Sequence, residues 1–229
     1  MTFPVQVILV PQGAEYQAIC RGLSHIILTP LVVPIPIGPE PLTRHLNKLQ
    51  QSGHFSNHQQ LRVLLIGLCG SLTHRYSVGD IVLYQTCAYT NAAPGQLHPC
   101  DPTLTTLLQE KLKQTSLVQA LTSDRLVWSA DEKRHLGQIY SADVVDMEGF
   151  AALEVLSPGV SVAMLRVVSD DSQHDLPNLT SALSPDGSLQ PAPLAIGMIR
   201  QPMAATRLIR GALRGLQVLQ EVTALLFAK

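Results

Sequence analysis

The chain has 229 residues, of which 46% are hydrophobic and 14% charged, and a formal net charge of −1 at pH 7. That length holds one α/β unit with a sizeable core and is short for two, so residues 1–229 read as a single domain. A near-neutral chain projects no basic field towards nucleic acid or an anionic membrane, and no apolar run reaches the roughly 18 residues of a membrane span. Cys20, Cys69, Cys87 and Cys100 form no CxxC pair and read as reduced thiols. The opening Met-Thr-Phe-Pro lacks the basic and small-residue marks of a signal peptide, and the expected location is cytoplasmic.

In chain order, residues 5–10 (VQVILV) are a near-continuous apolar run, the mark of a strand covered on both faces. Residues 15–23 read as a helix. Residues 31–37 are extended, with Pro34 and Pro36 assigning them to a sheet edge, and a helix follows over 41–51. The polar stretch 52–60 reads as a loop. Its His54 and His58 are four apart but have no acidic ligand nearby, so no metal site is expected. A second buried strand (62–68) ends in Gly67-Leu-Cys-Gly70, where a tight turn and a close backbone approach to a ligand are both open readings. The strand IVLY (81–84) comes next. Residues 94–102 are turn-rich, 103–114 an amphipathic helix, 126–128 strand-like, and 130–140 helical, with Asp131 and Glu132 placed to suit the helix dipole. Residues 144–147 read as strand, 149–156 as helix, and 160–168 (VSVAMLRVV) as the last long strand. The Pro/Ser/Asp/Gly-rich stretch 172–193 is a loop of a length that usually carries function or mobility; its His174 and Asp175 read as a solvated pair. After Pro202 a final helix carries an apolar stripe through Leu208, Leu213, Leu216, Leu219, Val222 and Leu226, with Arg207, Arg210 and Arg214 on a solvated flank. Alternating strands and helices give the α/β class: a central mixed β-sheet flanked by helices in three layers.

Ligands in such folds gather at the carboxyl ends of strands. Three polar clusters, 67–71, 146–148 and 169–171, stand at strand ends, and Glu15 follows the first strand. A partly buried carboxylic acid can deliver a proton, because burial raises its affinity for one. A second carboxylate can accept hydrogens from two hydroxyls. Asp170 and Glu148 have the right types for these roles. A helix N-cap for Asp170 and an exposed position for Glu148 are equally open from spacing alone.

Three stretches carry a resemblance. LLIGLCGSLTHRYSVGDIVL (64–83), VVDMEGFAALEV (144–155) and LRVVSDDS (165–172) resemble the glycine-rich/VGD, V-[DE]-M-E-x-x-A and R-x-[IV]-S-D blocks of the purine nucleoside phosphorylase/uridine phosphorylase superfamily, which includes methylthioadenosine/S-adenosylhomocysteine nucleosidase. The resemblance spans most of the chain and implies the phosphorylase/hydrolase-like fold and cleavage of a nucleoside N-glycosidic bond. It implies that Asp170 protonates the leaving purine, that Glu148 binds the ribose hydroxyls over Met147, and that Ser169 and Arg166 support the acid or the nucleophile. Gly67, Leu68 and Gly70 would lie against the ligand, and Leu126 and Val127 would wall the base. A bare apolar wall is an equally open reading of the last two.

The same family uses water or phosphate as nucleophile. Nucleosidases resemble this chain in placing a glutamate just after the first strand, where phosphorylases place an arginine; Glu15 would then activate water. Leu68 departs from both templates, which carry a small hydroxyl residue there. The loop and tail, HDLPNLTSALSPDGSL and IRQPMAATRLIRGALRGL, are similar to the hopanoid-associated phosphorylase branch, implying a bulky 5′-substituted adenosine. The expected partner is therefore a small-molecule nucleoside, with no cofactor, phosphate as the possible co-substrate, and a homo-oligomeric state. A non-catalytic nucleoside-binding member of the family is the alternative.

Overall fold

All five residues of β1 (Val7–Pro11) are buried, as its unbroken apolar run requires. The structure is a computed structural model that describes residues 3–53, 61–93, 95–156, 159–182, 184, 186–188 and 190–228; His54 and His58 fall outside these. After β1 come α1 (Ala14–Leu23), β2 (Leu31–Ile35), α2 (Pro39–Gln51), β3 (Leu61–Ser71), β4 (Ile81–Tyr89), β5 (Leu97–Pro99) and α3 (Pro102–Lys111). They are followed by β6 (Thr115–Thr122), α4 (Ala130–Tyr140), β7 (Val144–Asp146), α5 (Gly149–Leu156), β8 (Val160–Asp170), α6 (Pro191–Arg200) and α7 (Pro202–Phe227).

The strands form one mixed sheet. β2 lies at its edge beside β1, where the missing N–H of Pro34 costs no ladder bond. β1 pairs in parallel with β3. Beyond β3 the pairings close on themselves: β3 with β8, β8 with β4, β4 with β6, β6 with β7, and β7 back to β3. One buried cluster draws on alternate residues of all five strands of this ring and continues onto α2 and α5. A second lies on the opposite side of β3, β4 and β8, under α1, α3 and α7. The three-layer α/β architecture follows from these two apolar faces. Helix starts are set locally: the Asp101 side chain accepts from Leu104 N at 2.8 Å at the head of α3, and Ser129 caps α4 through Glu132 N. Among the described residues no helix is long and apolar enough to cross a membrane.

Three expectations are corrected. The strand expected at 126–128 is absent; the strand of this region is β6, held between β4 and β7 on both edges. The loop over 172–193 gives way to a short 3₁₀ turn at Thr180–Ala182 and to α6, whose start is compatible with Pro191 because the first helical N–H needs no partner. Finally, Gly67-Leu-Cys-Gly70 is not a turn. β3 runs straight through it to Ser71, and neither glycine has a positive φ.

Candidate functional site

One end of the strand ring collects the polar residues. Gly70 pairs with Val145 and with Asp170, and Thr122 pairs with Asp146, so the ends of β3, β6, β7 and β8 meet there. The two β3 glycines are required by close approach. A Cβ on Gly70 would lie 2.6 Å from Asp170 Oδ2, and one on Gly67 would collide with Arg166 Nη1 and lie 2.7 Å from Glu15 Oε1. The missing side chains thus make room for catalytic-type groups of neighbouring elements.

Arg166 is fully buried in the middle of this assembly. Its Nη2 donates to Asp146 Oδ2 at 2.8 Å and to Glu148 Oε2 at 3.3 Å, while its Nε and Nη1 find no acceptor among the described residues. Burial works against its charge, but Asp146 and Glu148, aided by Tyr84 and Glu15, more than offset this and hold its pKa above the usual arginine value. Asp146 is itself locked by Thr122 Oγ1 at 2.7 Å and by Gly149 N at 3.1 Å. Glu148 is buried and not on the surface; its Oε1 accepts from Gly38 N at 3.3 Å, at the head of α2. Partly buried Glu15, in the first turn of α1, accepts from Leu68 N at 2.6 Å.

Burial pushes Glu15 up to about 7, against the pull of Arg166 and the Leu68 N–H, with Asp146 adding to the rise. Glu148 is likewise pushed up to about 7, by burial first, with Arg166 opposing and Asp146 and Glu15 reinforcing. Crowding of three carboxylates around one guanidinium adds to the effect of burial: the cluster cannot ionise completely without excess negative charge in a low-dielectric interior. Near neutrality such a cluster gives up or takes a proton readily.

Asp170 occupies the second half of the site. It is the last residue of β8 and caps no helix. Ser169 Oγ donates to its Oδ1 at 2.9 Å, and the Lys133 ammonium pairs with its Oδ2. Gly70, Leu126, Val127, Met147 and Asp170 line one cavity of about 40 Å³. That is close to one water molecule's share of about 30 Å³, so a nucleobase needs this wall to part. On the other flank of Asp170 lies a cavity of about 280 Å³, bounded also by Ser169, His174, Asp175, Arg207 and Arg210. His174 pairs with Asp171 there, and Asp175 Oδ1 accepts from Ala130 N at 2.8 Å.

The structure therefore brings the sequence-derived residues together in two groups. Glu15, Gly67, Leu68, Glu148 and Arg166 form one; Gly70, Leu126, Val127, Met147, Ser169 and Asp170 form the other. Asp146 joins them, since it holds Arg166 and also lines the small cavity. The roles of Asp146, Thr122, Gly38 and Lys133 were not legible from the motifs. Two signals were available: Asp146 stands in the strand-end cluster 146–148, and Lys133 is a cation in the first turn of α4, where acidic side chains are favoured. Leu68 contributes its backbone N–H, while its side chain packs towards α7, where a Cβ on Gly215 would meet Leu68 Cδ2 at 2.8 Å. Among the described residues no group of three His, Cys, Asp or Glu side chains is arranged to hold a metal ion.

Several solved structures share this fold. The native futalosine hydrolase of Helicobacter pylori strain 26695 superposes with a TM-score of 0.71 at 16% identity, over 96% of this chain and 95% of that one. The H. pylori 5′-methylthioadenosine/S-adenosylhomocysteine nucleosidase, complexed with a pyrrolopyrimidine–pyrrolidinol compound, gives 0.67 at 16% identity over 97% and 98%. The Campylobacter jejuni nucleosidase of the same name gives 0.63 at 16% identity over 94% and 98%. At these identities the likeness is one of fold. No curated protein matches the chain by sequence. The sequence model of the phosphorylase superfamily, however, matches residues 29–183, more than half the chain. The nucleosidases and nucleoside phosphorylases of that superfamily are enzymes that cleave glycosidic bonds, and this chain belongs to it.

Proposed function

We propose that the protein hydrolyses the N-glycosidic bond of a purine nucleoside, a 5′-substituted adenosine, with water as the nucleophile. The observation that carries this reading is Glu15. Its carboxylate is fixed by Leu68 N and sits beside Arg166, whose Nε and Nη1 have donors to spare. A value of about 7 leaves Glu15 partly ionised at neutral pH, which suits a general base. Asp170 would protonate the leaving base from its small apolar-walled cavity, and Glu148 would take the ribose hydroxyls.

Phosphorolysis is the second reading, and the free donors of Arg166 are the observation in its favour, since a phosphate would satisfy them. The surrounding charges oppose it. Asp146, Glu148 and Glu15 already crowd that guanidinium, and each like charge about 4 Å from a phosphate costs on the order of 4 kcal/mol even at an effective dielectric near 20. Water meets no such repulsion.

The test is a base-release screen over methylthioadenosine, adenosylhomocysteine, adenosine, inosine and uridine, with and without phosphate. Adenine release should stay within about twofold as phosphate rises from none to roughly 20 mM, with free sugar as the co-product. A sugar 1-phosphate as the main product would transfer the assignment to a phosphorylase. No release from any of the five would remove catalysis from the reading.

Glu148→Gln is expected to weaken a nucleoside analogue by roughly 10- to 100-fold while changing free adenine by less than about threefold, because hydrogen bonds to a charged acceptor are worth about 1.5–3 kcal/mol. Calorimetric titration with both ligands makes the comparison. Equal losses would place Glu148 away from the sugar.

A further inference from the structure

Lys133 is fully buried, yet it lies in the first turn of α4, where the helix dipole disfavours a cation. A fully buried lysine also carries a heavy desolvation cost, which an apolar side chain of similar volume would avoid. Two local preferences are thus overridden at one position, a pattern that points to function more than to packing. Its ammonium has two partners, Asp170 Oδ2 and the Asp171 carbonyl oxygen at 2.9 Å. The neighbouring turn strengthens the tie: Ala130 N donates to Asp175 Oδ1 at 2.8 Å, and Arg134 Nη1 donates to the Ser172 carbonyl at 2.7 Å. The head of α4 therefore grips the segment that follows β8 at three points.

From this juxtaposition we propose that Lys133 is a positioning residue for Asp170 and the source of the proton that Asp170 hands to the leaving base. The inference rests on Asp170 being the acid of the reaction proposed above. Lys133 and Asp170 together hold one exchangeable proton, as ammonium with carboxylate or as amine with carboxylic acid. When the C1′–N9 bond breaks, its electron pair goes to the base. The base then takes the proton from the Asp170 carboxyl, and the Lys133–Asp170 pair changes from neutral to a net charge of −1. A solvent proton restores Lys133 after the products leave. C1′ bonds to the oxygen of the attacking water, which is the other species consumed and which gives its proton to Glu15. Because Lys133 is held by Asp171 and the gripped segment, it also fixes the Asp170 carboxylate over Gly70, where no side chain stands in the way.

The experiment compares two leaving groups in the parent and in Lys133→Met. A purine needs a proton to depart, whereas 4-nitrophenolate does not. For adenine release from a nucleoside that the parent cleaves, Lys133→Met should lower kcat by about 100-fold with KM within about threefold; for 4-nitrophenyl riboside, kcat should fall by less than about threefold. Lys133→Arg keeps the positive charge but cannot release a proton, so it should leave the nucleoside kcat within about threefold of Lys133→Met, and recovery to the parent rate would overturn the proton-source role. Because Lys133→Met leaves Asp170 without its counter-ion, the double variant Asp170→Asn/Lys133→Met supplies a second measurement. In that background, loss of Lys133 should cost the nucleoside reaction no more than about threefold beyond Asp170→Asn alone. Parallel losses for both leaving groups, or additive losses in the double variant, would reduce Lys133 to a structural tie and overturn the proposal. A parent that cleaves neither substrate would instead overturn the nucleosidase reading on which it rests.

Discussion

Asp170→Asn is expected to lower base release by roughly two to four orders of magnitude, the usual worth of a positioned acid. Asparagine keeps the shape and one acceptor oxygen, so it still fits over Gly70 and still receives a hydrogen bond from Lys133. It cannot give up a proton. The loss should therefore fall on kcat, with affinity for the nucleoside changed little. Some stability goes too, because the fully buried Lys133 ammonium then faces a neutral acceptor; the assay belongs well below the variant's melting temperature. Chromatographic measurement of adenine release decides the matter. Parent-like rates in a folded Asp170→Asn protein would remove the acid role from this residue.

Arg166→Met should be the most destabilising single change in the site. It leaves Asp146, Glu148 and Glu15 gathered around an apolar side chain, and removing one partner of a buried ion pair costs about 3–5 kcal/mol. The loss should depend on pH in a defined direction. In the parent, Glu15 and Glu148 titrate near 7 when folded, against an ordinary value of 4.5, so the folded state holds their protons more tightly than the unfolded state. The stability linked to them is fully present below 4.5 and is lost as pH rises through 7. Without the guanidinium, both carboxyls hold their protons more tightly still, and the window of loss extends upwards. Urea unfolding near pH 6 and pH 8 should therefore show a larger gap between variant and parent at the higher pH. Arg166→Lys, which keeps a positive charge but not the fork, should recover part of the difference. An equal gap at both pH values would mean that Arg166 is not the counter-ion of this cluster.

How much of this was legible in the sequence depended on whether the relevant contact is local. β1, β3 and β8 announce themselves as apolar runs because both faces of each are covered. α7 shows its stripe only in part: Leu219, Val222 and Leu226 are buried as expected and Leu208 and Leu216 partly so, but Leu213 is exposed, and Gly211, Gly215 and Val218 take the buried face. β6 does not show itself. In TSLVQALT the residues Leu117, Val118, Ala120 and Leu121 fit a helical face as well as a strand, and only pairing on both edges decides between them. The same distinction separates the site residues. Glu148, Arg166 and Asp170 sit in short motif blocks, and each reads as chemistry in its own block. Gly38 reaches Glu148 across 110 residues of sequence, and Lys133 reaches Asp170 across 37, so neither contact leaves a mark in a local window. The two β3 glycines were visible, but their reason was not. A tight turn and a close approach both call for glycine, and the side chains that approach come from α1 and β8.

The pairing of β3 with β8 joins Leu61 to Val160 at one end and Gly70 to Asp170 at the other, so the two central strands lie about a hundred residues apart in the chain. During synthesis β2, β1 and β3 can associate early, because their pairings are comparatively short in sequence. The edge of β3 that will receive β8 stays open until the rest of the ring has been made. Until then the run LLIGL presents unpaired backbone N–H and C=O groups on an apolar strand, the kind of edge that recruits other chains. Non-local closure of this sort is slow. Folding yield should thus be governed by how long that edge waits, and chaperone dependence or loss to inclusion bodies is its expected cellular cost. Because Arg166 and Asp170 arrive on β8 itself, ligand binding would report that closure is complete.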